Sequence, residues 1–310
     1  MSGLIWTILL VAVTAVWGWA FVAIKSAIAS VGVFGFLTIR FVIASVCLAP
    51  FCLRKLSRRT VLVGAGVGLA MAAGFVLQTL GLLHTTSTNS GLITGLALIL
   101  APVAARLFFG VRVPKATVLC LGACLVGLAM LTAPSPAEFR IGGHLGDLLT
   151  AGCAVAFGLH IALLSRYAPE HDAAALTLVQ VAVSTAAFAG AWAAFETPVW
   201  PTAEVWWIIL VTAIFGVAAA FYVQTQVQRR LSAARTSVIL TAEPLFAALF
   251  GYWLASDRLT SVQLCGGAII VISLVVGELS AARRAGAPPP AALNGVSGRS
   301  SDSQEGRNVP

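Results

Sequence analysis

The stretch Glu243–Phe250 reads EPLFAALF, a carboxylate and a proline inside an otherwise apolar run, and it has a counterpart earlier in the chain. Ala101–Phe108 reads APVAARLF, with the proline in the same place and alanine where the glutamate stands. The two copies keep company as one reads outward. FVLQT at Phe75–Thr79 answers FYVQT at Phe221–Thr225, and LCLGA at Leu119–Ala123 answers LCGGA at Leu264–Ala268. Nearer the N-terminus, WGWAFVAIK from Trp17 falls over FGLHIALLS from Phe157, and TIRF, which contains Arg40, falls over LVQV at Leu178–Val181. Each match is short. Their common order makes them an internal repeat.

Composition says where the repeat lives. Of 310 residues, 59% are hydrophobic and 10% charged, against about 25% charged in soluble domains. That is too little charge to cover a water-exposed surface, so the chain is expected to be an all-α integral membrane protein. A helix needs about 20 apolar residues to cross the hydrocarbon core. That length divides the chain into ten candidate spans: Leu4–Ile24, Val33–Leu53, Val61–Leu82, Gly91–Phe109, Ala116–Thr132, Leu145–Ser165, Ala174–Phe195, Val205–Val227, Thr236–Leu254 and Ser261–Leu279. Residues 1–143 and 144–279 then hold five spans each. An odd number reverses the second copy in the membrane, so the expected fold is ten transmembrane helices in two inverted five-helix repeats. Such repeats are typical of secondary transporters. The first segment has no basic leader ahead of a long apolar run, which reads as a retained helix in place of a cleaved signal. Ser280–Pro310, with its APPPAA, reads as a disordered tail.

The net charge of +8 is an orientation signal. Arg54, Lys55, Arg58, Arg59, Arg112, Lys115, Arg166, Arg229, Arg230, Arg235, Arg283 and Arg284 fall on one side. Lys25, Arg140 and Arg258 fall on the other. Positive residues collect inside, which places both termini in the cytoplasm of a multi-pass protein of the cell (plasma or inner) membrane and argues against a nucleic-acid partner. All six cysteines lie in apolar segments and read as small buried hydrophobes; no zinc set surrounds them. None of the lysines follows a glycine, so the chain has no GxxxxGK[ST] phosphate loop. HExxH and GxSxG are also missing, and the outer-loop acids are dispersed. A membrane enzyme and a passive channel or scaffold stand as the rival classes.

These strings resemble a known family. WGWAFVAIK, IRFVIA, GLLHTTSTNSGLITGLALILAP, GDLLTAGCAVAFGLHIALLSRYA and TAEPLFAALFGYWLASDRLTSVQLCGGAIIV, in this order, are similar to the EamA-type transporters of the drug/metabolite transporter superfamily. The resemblance implies two inverted five-helix repeats around a central cavity, and export of small metabolites, amino acids or drugs by secondary transport. It implies a small-molecule substrate within a lipid bilayer and no cofactor; it leaves the substrate, the coupling ion and the oligomeric state open. Many members carry a glutamate after the ninth helix where this chain has Asp257.

Ionisable and polar groups at membrane depth are the candidate site, because burying a charge there costs at least about 2.5–3.5 kcal/mol. Glu243 is the only acid deep in any expected span, and it is present in one copy of the repeat alone. Pro244 removes a backbone donor and frees a carbonyl near Leu240. The pair reads as a proton or substrate site, or as half of a structural ion pair. Arg40 either pairs with Glu243, holds a substrate carboxylate, or snorkels to the outer surface. His160, the repeat-related Gln78 and Gln224, and Trp17 complete the set. For each of these four, ordinary helix packing is the alternative to lining a substrate or proton pathway.

Overall fold

The computed structural model describes residues 3–52, 55–82, 84–85, 90, 93–132, 145–254 and 259–286. Among these residues every regular element is helical. In chain order they are α1 (Gly3–Val31), α2 (Val33–Cys52), α3 (Arg58–Leu82), α4 (Ala97–Phe109), α5 (Lys115–Thr132), α6 (Leu145–Tyr167) and α7 (Ala173–Phe195). There follow α8 (Ala203–Val211), a π-helical segment (Thr212–Ala219), α9 (Ala220–Gln228), α10 (Ala233–Leu240), α11 (Ala242–Leu254) and α12 (Ser261–Gly286).

Among the described residues, seven helices are long and apolar enough to cross a membrane, and Leu4–Ala20, Ile93–Phe109 and Lys115–Leu131 are shorter apolar helices. Ala203–Gln228 counts as one crossing that contains the π segment, and Ala233–Leu254 as one that is notched at Thr241. The last helix runs to Gly286, past the expected end at Leu279, and the rest of the tail lies outside the described residues. Asn89, Arg140, Asp257 and Arg258 also lie outside them.

Residue chemistry sets the helix ends. Asp172 caps α7, its carboxylate accepting from the N–H groups of Ala174 and Ala175 at 3.0 and 3.1 Å. Gly110 closes α4 in the left-handed conformation, φ 67°, a common helix terminator. Gly32, with φ 81°, reverses the chain between α1 and α2. The N–H groups this exposes on Val33, Phe34 and Gly35 are capped from far along the chain, donating to the Glu196 carboxylate at 2.9, 3.0 and 2.9 Å.

The helices pack in defined pairs: α2 on α7, α5 on α12, α3 on α6 and α7, α1 on α9 and α11, and α4 on α6 and α10. The π segment lies on α2 and α1. At the centre an aromatic cluster joins five of these helices. Phe41 meets Phe188 edge-on at 4.9 Å and Phe75 at 5.4 Å, and Phe75 meets Phe157 at 5.3 Å and Phe221 at 6.3 Å. Edge-to-face pairs of this kind add to simple area burial. Large apolar side chains such as Leu62, Leu119, Leu148 and Ile272 face outward, as expected where lipid is the solvent. Cys47 and Cys265 join them on the outside while the other four cysteines are buried. The expectation of six buried thiols is thus corrected: an apolar thiol costs little against lipid, so a membrane protein has no need to hide it.

Candidate functional site

The site is built on the interrupted helix Ala203–Gln228. In its π segment the hydrogen-bond ladder widens, a distortion that recurs at functional sites, and two carbonyls there accept from side chains of the first half. Trp17 donates from its indole Nε1 to the Gly216 carbonyl at 2.8 Å, and Arg40 from Nε to the Thr212 carbonyl at 3.3 Å. Arg40 is 5% exposed, with Cζ 5.9 Å from the Phe36 ring centroid. The snorkelling alternative therefore fails, since the guanidinium turns into the protein and is held there.

One turn beyond the π segment, Phe221 anchors a second group. Trp17 lies 5.5 Å from its ring centroid and His160 meets it edge-on at 6.0 Å. His160 Nε2 donates to the Gln180 carboxamide oxygen at 2.9 Å, Gln180 Nε2 donates to the Thr225 hydroxyl at 3.2 Å, and that hydroxyl donates to the Phe221 carbonyl at 2.7 Å. Every link runs in one direction and closes on the backbone. His160 is thereby a satisfied, buried member of a polar chain.

Glu243 and Pro244 occupy the first turn of α11, just past the notch at Thr241. The Thr241 hydroxyl folds back onto the Val238 carbonyl at 2.6 Å and accepts from Cys124 Sγ at 3.4 Å. Pro244 lines an apolar crevice with Leu98, Leu128, Thr241 and Ile270. Among the described residues Glu243 makes no hydrogen bond or ion pair, with Arg40 or any other group. The ion pairs found are Lys55–Asp172, Arg59–Glu170, Arg166–Glu170 and Arg235–Glu278, towards helix ends.

Helix α1 connects the two groups. A Cβ on Gly18, the neighbour of Trp17, would lie 2.6 Å from the Ala247 nitrogen and 2.7 Å from Phe246 Cβ. Only glycine lets α1 approach α11 this closely, and the contact is one turn from Glu243. The structure thus brings Trp17, Arg40 and His160 onto one helix, with Glu243 and Pro244 across α1 from them. Gln224 lies on that same helix, one turn past Phe221, but bonds elsewhere, and Gln78 stands apart. Gln78 reaches Thr94 at 3.5 Å, the limit of a hydrogen bond, and Gln224 donates to Gln228 at 3.1 Å, whose own amide turns to the Ile161 carbonyl of α6. The π-segment carbonyls were not legible in the sequence, because widening of a helix leaves no local signature. Glu196 read only as a dispersed loop acid, although an acid just past a helix that is followed by TPVWP marks an ordered corner. Among the described residues no three metal-ligating side chains converge.

A multi-pass helical bundle with an arginine, a histidine and a carboxylate inside it defines a membrane protein whose polar site lies in its interior. The EamA-like transporter family model matches this chain twice, over residues 4–133 and 144–276. Two proteins of Archaeoglobus fulgidus, each described as an uncharacterized transporter, are similar to it. One is 31% identical over 271 residues, spanning 86% of this chain and 83% of its own; the other is 26% identical over 248 residues, spanning 78% and 82%. A solved crystal structure of a protein superposes with a TM-score of 0.76 at 21% identity, covering 89% of this chain and 97% of that one, a likeness of fold. The chain belongs to the EamA-like transporter family, within the drug/metabolite transporter superfamily, and is a membrane transporter.

Proposed function

We propose that the protein is a secondary transporter that exports small organic metabolites by alternating access between two inverted halves, residues 1–143 and 144–279, with ten crossings in all. The observation that carries this reading is the pairing of the helices. Number the crossings from one to ten, with Ala203–Gln228 as the eighth and Ala233–Leu254 as the ninth. Exchanging each crossing with the one five places on then keeps the main packing pairs, while the contacts of crossing 8 on 7 and of 9 on 5 have no counterpart of comparable extent. Crossing 2 packs on 7, 5 on 10 and 4 on 9; 3 packs on 6 and 7 as 8 packs on 1 and 2; 4 packs on 6 as 9 packs on 1.

Individual residues follow the same exchange. Ser45 and Thr185 share a hydrogen bond across α2 and α7 at 3.3 Å, and the matched Phe75 and Phe221 touch each other. Gly18 and Gly158, matched in the sequence, both accept close backbone neighbours: a Cβ on Gly158 would lie 2.8 Å from Leu100 Cβ. A fold whose halves can trade environments has two related arrangements, which alternating access requires. The double match of the family model supports the same division.

Within this scheme Glu243 is the proton carrier. It is the unmatched acid of the repeat, it has no counter-ion among the described residues, and it stands beside a notch in its helix. Both termini lie in the cytoplasm, and the membrane is the cell membrane. The test is efflux from proteoliposomes driven by an imposed proton gradient. Glu243→Gln is expected to abolish the pH dependence while leaving the protein folded; wild-type rate with unchanged pH dependence would refute the carrier role.

A further inference from the structure

We propose that Arg40 is the carboxylate anchor of the transport site, so that the solute carried is an organic acid or a zwitterion; this rests on the transporter reading above. A guanidinium that is 5% exposed in a membrane bundle has lost most of its hydration. Such a charge is retained only where something compensates it. Here the protein supplies little. Nε donates to the Thr212 carbonyl and the Phe36 ring lies alongside, while the two terminal nitrogens make no hydrogen bond among the described residues. No carboxylate among them comes within ion-pair distance.

One of those nitrogens lies hard against a glycine. A Cβ on Gly216 would sit 2.8 Å from Nη2 and 3.9 Å from Cζ, so any larger residue would displace the fork. Gly216 also gives its carbonyl to the Trp17 indole, and the Phe36 ring lies beside the guanidinium. A planar, charged fork with uncommitted donors beside an aromatic ring matches a carboxylate, which it can hold bidentately. The charge is not a requirement of the position. Gln180, which stands at the matching place in the second half, is neutral and is satisfied by His160 and Thr225.

The test uses the full-length protein in detergent and a defined panel of probes: the common L-amino acids, pyruvate, succinate, and the corresponding amides that lack the carboxylate. At millimolar concentration at least one carboxylate is expected to raise the melting temperature, its amide is not, and Arg40→Gln weakens that ligand by at least about tenfold, the worth of one charge-assisted hydrogen bond. Arg40→Lys is expected to fall between, having charge without the fork. If Arg40→Gln does not purify as a folded species, Gly216→Ala carries the test, since it displaces the fork without removing charge and is expected to weaken the same ligand. The proposal is overturned if no carboxylate stabilises the protein, if amides stabilise it equally, or if Arg40→Gln or Gly216→Ala binds like wild type. Efflux from proteoliposomes separates the two failures. A solute without a carboxylate that moves equally through wild type and Arg40→Gln overturns only the anchor, whereas vesicles that move no solute overturn the transporter reading as well.

Discussion

Replacing Glu196 by alanine removes a cap that one half of the chain places on the other. The carboxylate accepts from three successive N–H groups at 2.9, 3.0 and 2.9 Å, all at the start of α2, where the helix dipole is positive. Loss of an ordinary N-cap costs about 1 kcal/mol and up to about 2. Loss of a negative charge at a helix N-terminus costs about 0.3–1 kcal/mol more. The corner lies beside an open cavity lined by Ser30, Gly32, Phe195 and Val199, so water can reach the freed N–H groups and the full penalty of burying them does not apply. The sum is about 1.3–3 kcal/mol for Glu196→Ala; Glu196→Gln, which keeps a carbonyl acceptor, is expected to lose roughly half of it.

The companion Gly32→Ala should be costly too, because φ is 81° and a Cβ would fall 2.6 Å from Glu196 Oε2. Its clash is with that carboxylate, so the two substitutions are expected to be less than additive in combination. Reversible unfolding of the detergent-solubilised chain by a denaturing surfactant, followed by tryptophan fluorescence, measures all four species. A Glu196→Ala protein within about 0.5 kcal/mol of wild type, the usual range for a neutral surface change, would refute the reasoning.

Other predictions follow from particular contacts. Trp17→Phe keeps the ring against Phe221 but loses the bond to the Gly216 carbonyl, and should cost about 1 kcal/mol in the same unfolding assay. His160→Phe leaves Gln180 short of a buried donor and should destabilise by about 1–3 kcal/mol, whereas changing His160 and Gln180 together to apolar residues should cost less than the sum. Burial pushes the Asp172 carboxyl up, but the Ala175 and Ala174 N–H groups and the Lys55 ammonium outweigh it and hold it below the ordinary range. A lowered folded value means that the cap contributes fully above the unfolded value, about 4, and is lost as pH falls below that through the folded one. Asp172→Asn should therefore flatten the acid limb of a melting-temperature profile below about pH 4.

Much of this architecture is present in the order of short words along the chain. Phe75 of FVLQT and Phe221 of FYVQT, the matched words, touch each other. Trp17-Gly18 and Phe157-Gly158 match because each glycine lets a neighbouring helix come close. The interior positions of Arg40 and His160 followed from counting residues along apolar spans. Their partners did not. The Thr212 and Gly216 carbonyls become available only because the helix Ala203–Gln228 widens into a π segment, a property of how that helix fits α1 and α2. Glu196 acts across 163 residues of chain on Val33, and no local pattern ties an acid at the end of one helix to the start of another so distant. The expected choice between an Arg40–Glu243 pair and separate roles was likewise a question of tertiary distance, and the structure leaves each without the other.

In the proposed cycle, two exchangeable halves move a small solute across the membrane using the proton at Glu243. Proteoliposomes carrying the full-length chain, loaded with a defined mixture of amino acids and organic acids and placed in an imposed proton gradient, test it directly by mass spectrometry of the released solutes. At least one solute is expected to leave against its own gradient, a protonophore to stop it, and Glu243→Gln to remove the dependence on the gradient. Release no faster than from protein-free vesicles, or release indifferent to both the protonophore and Glu243→Gln, would contradict the proposed cycle.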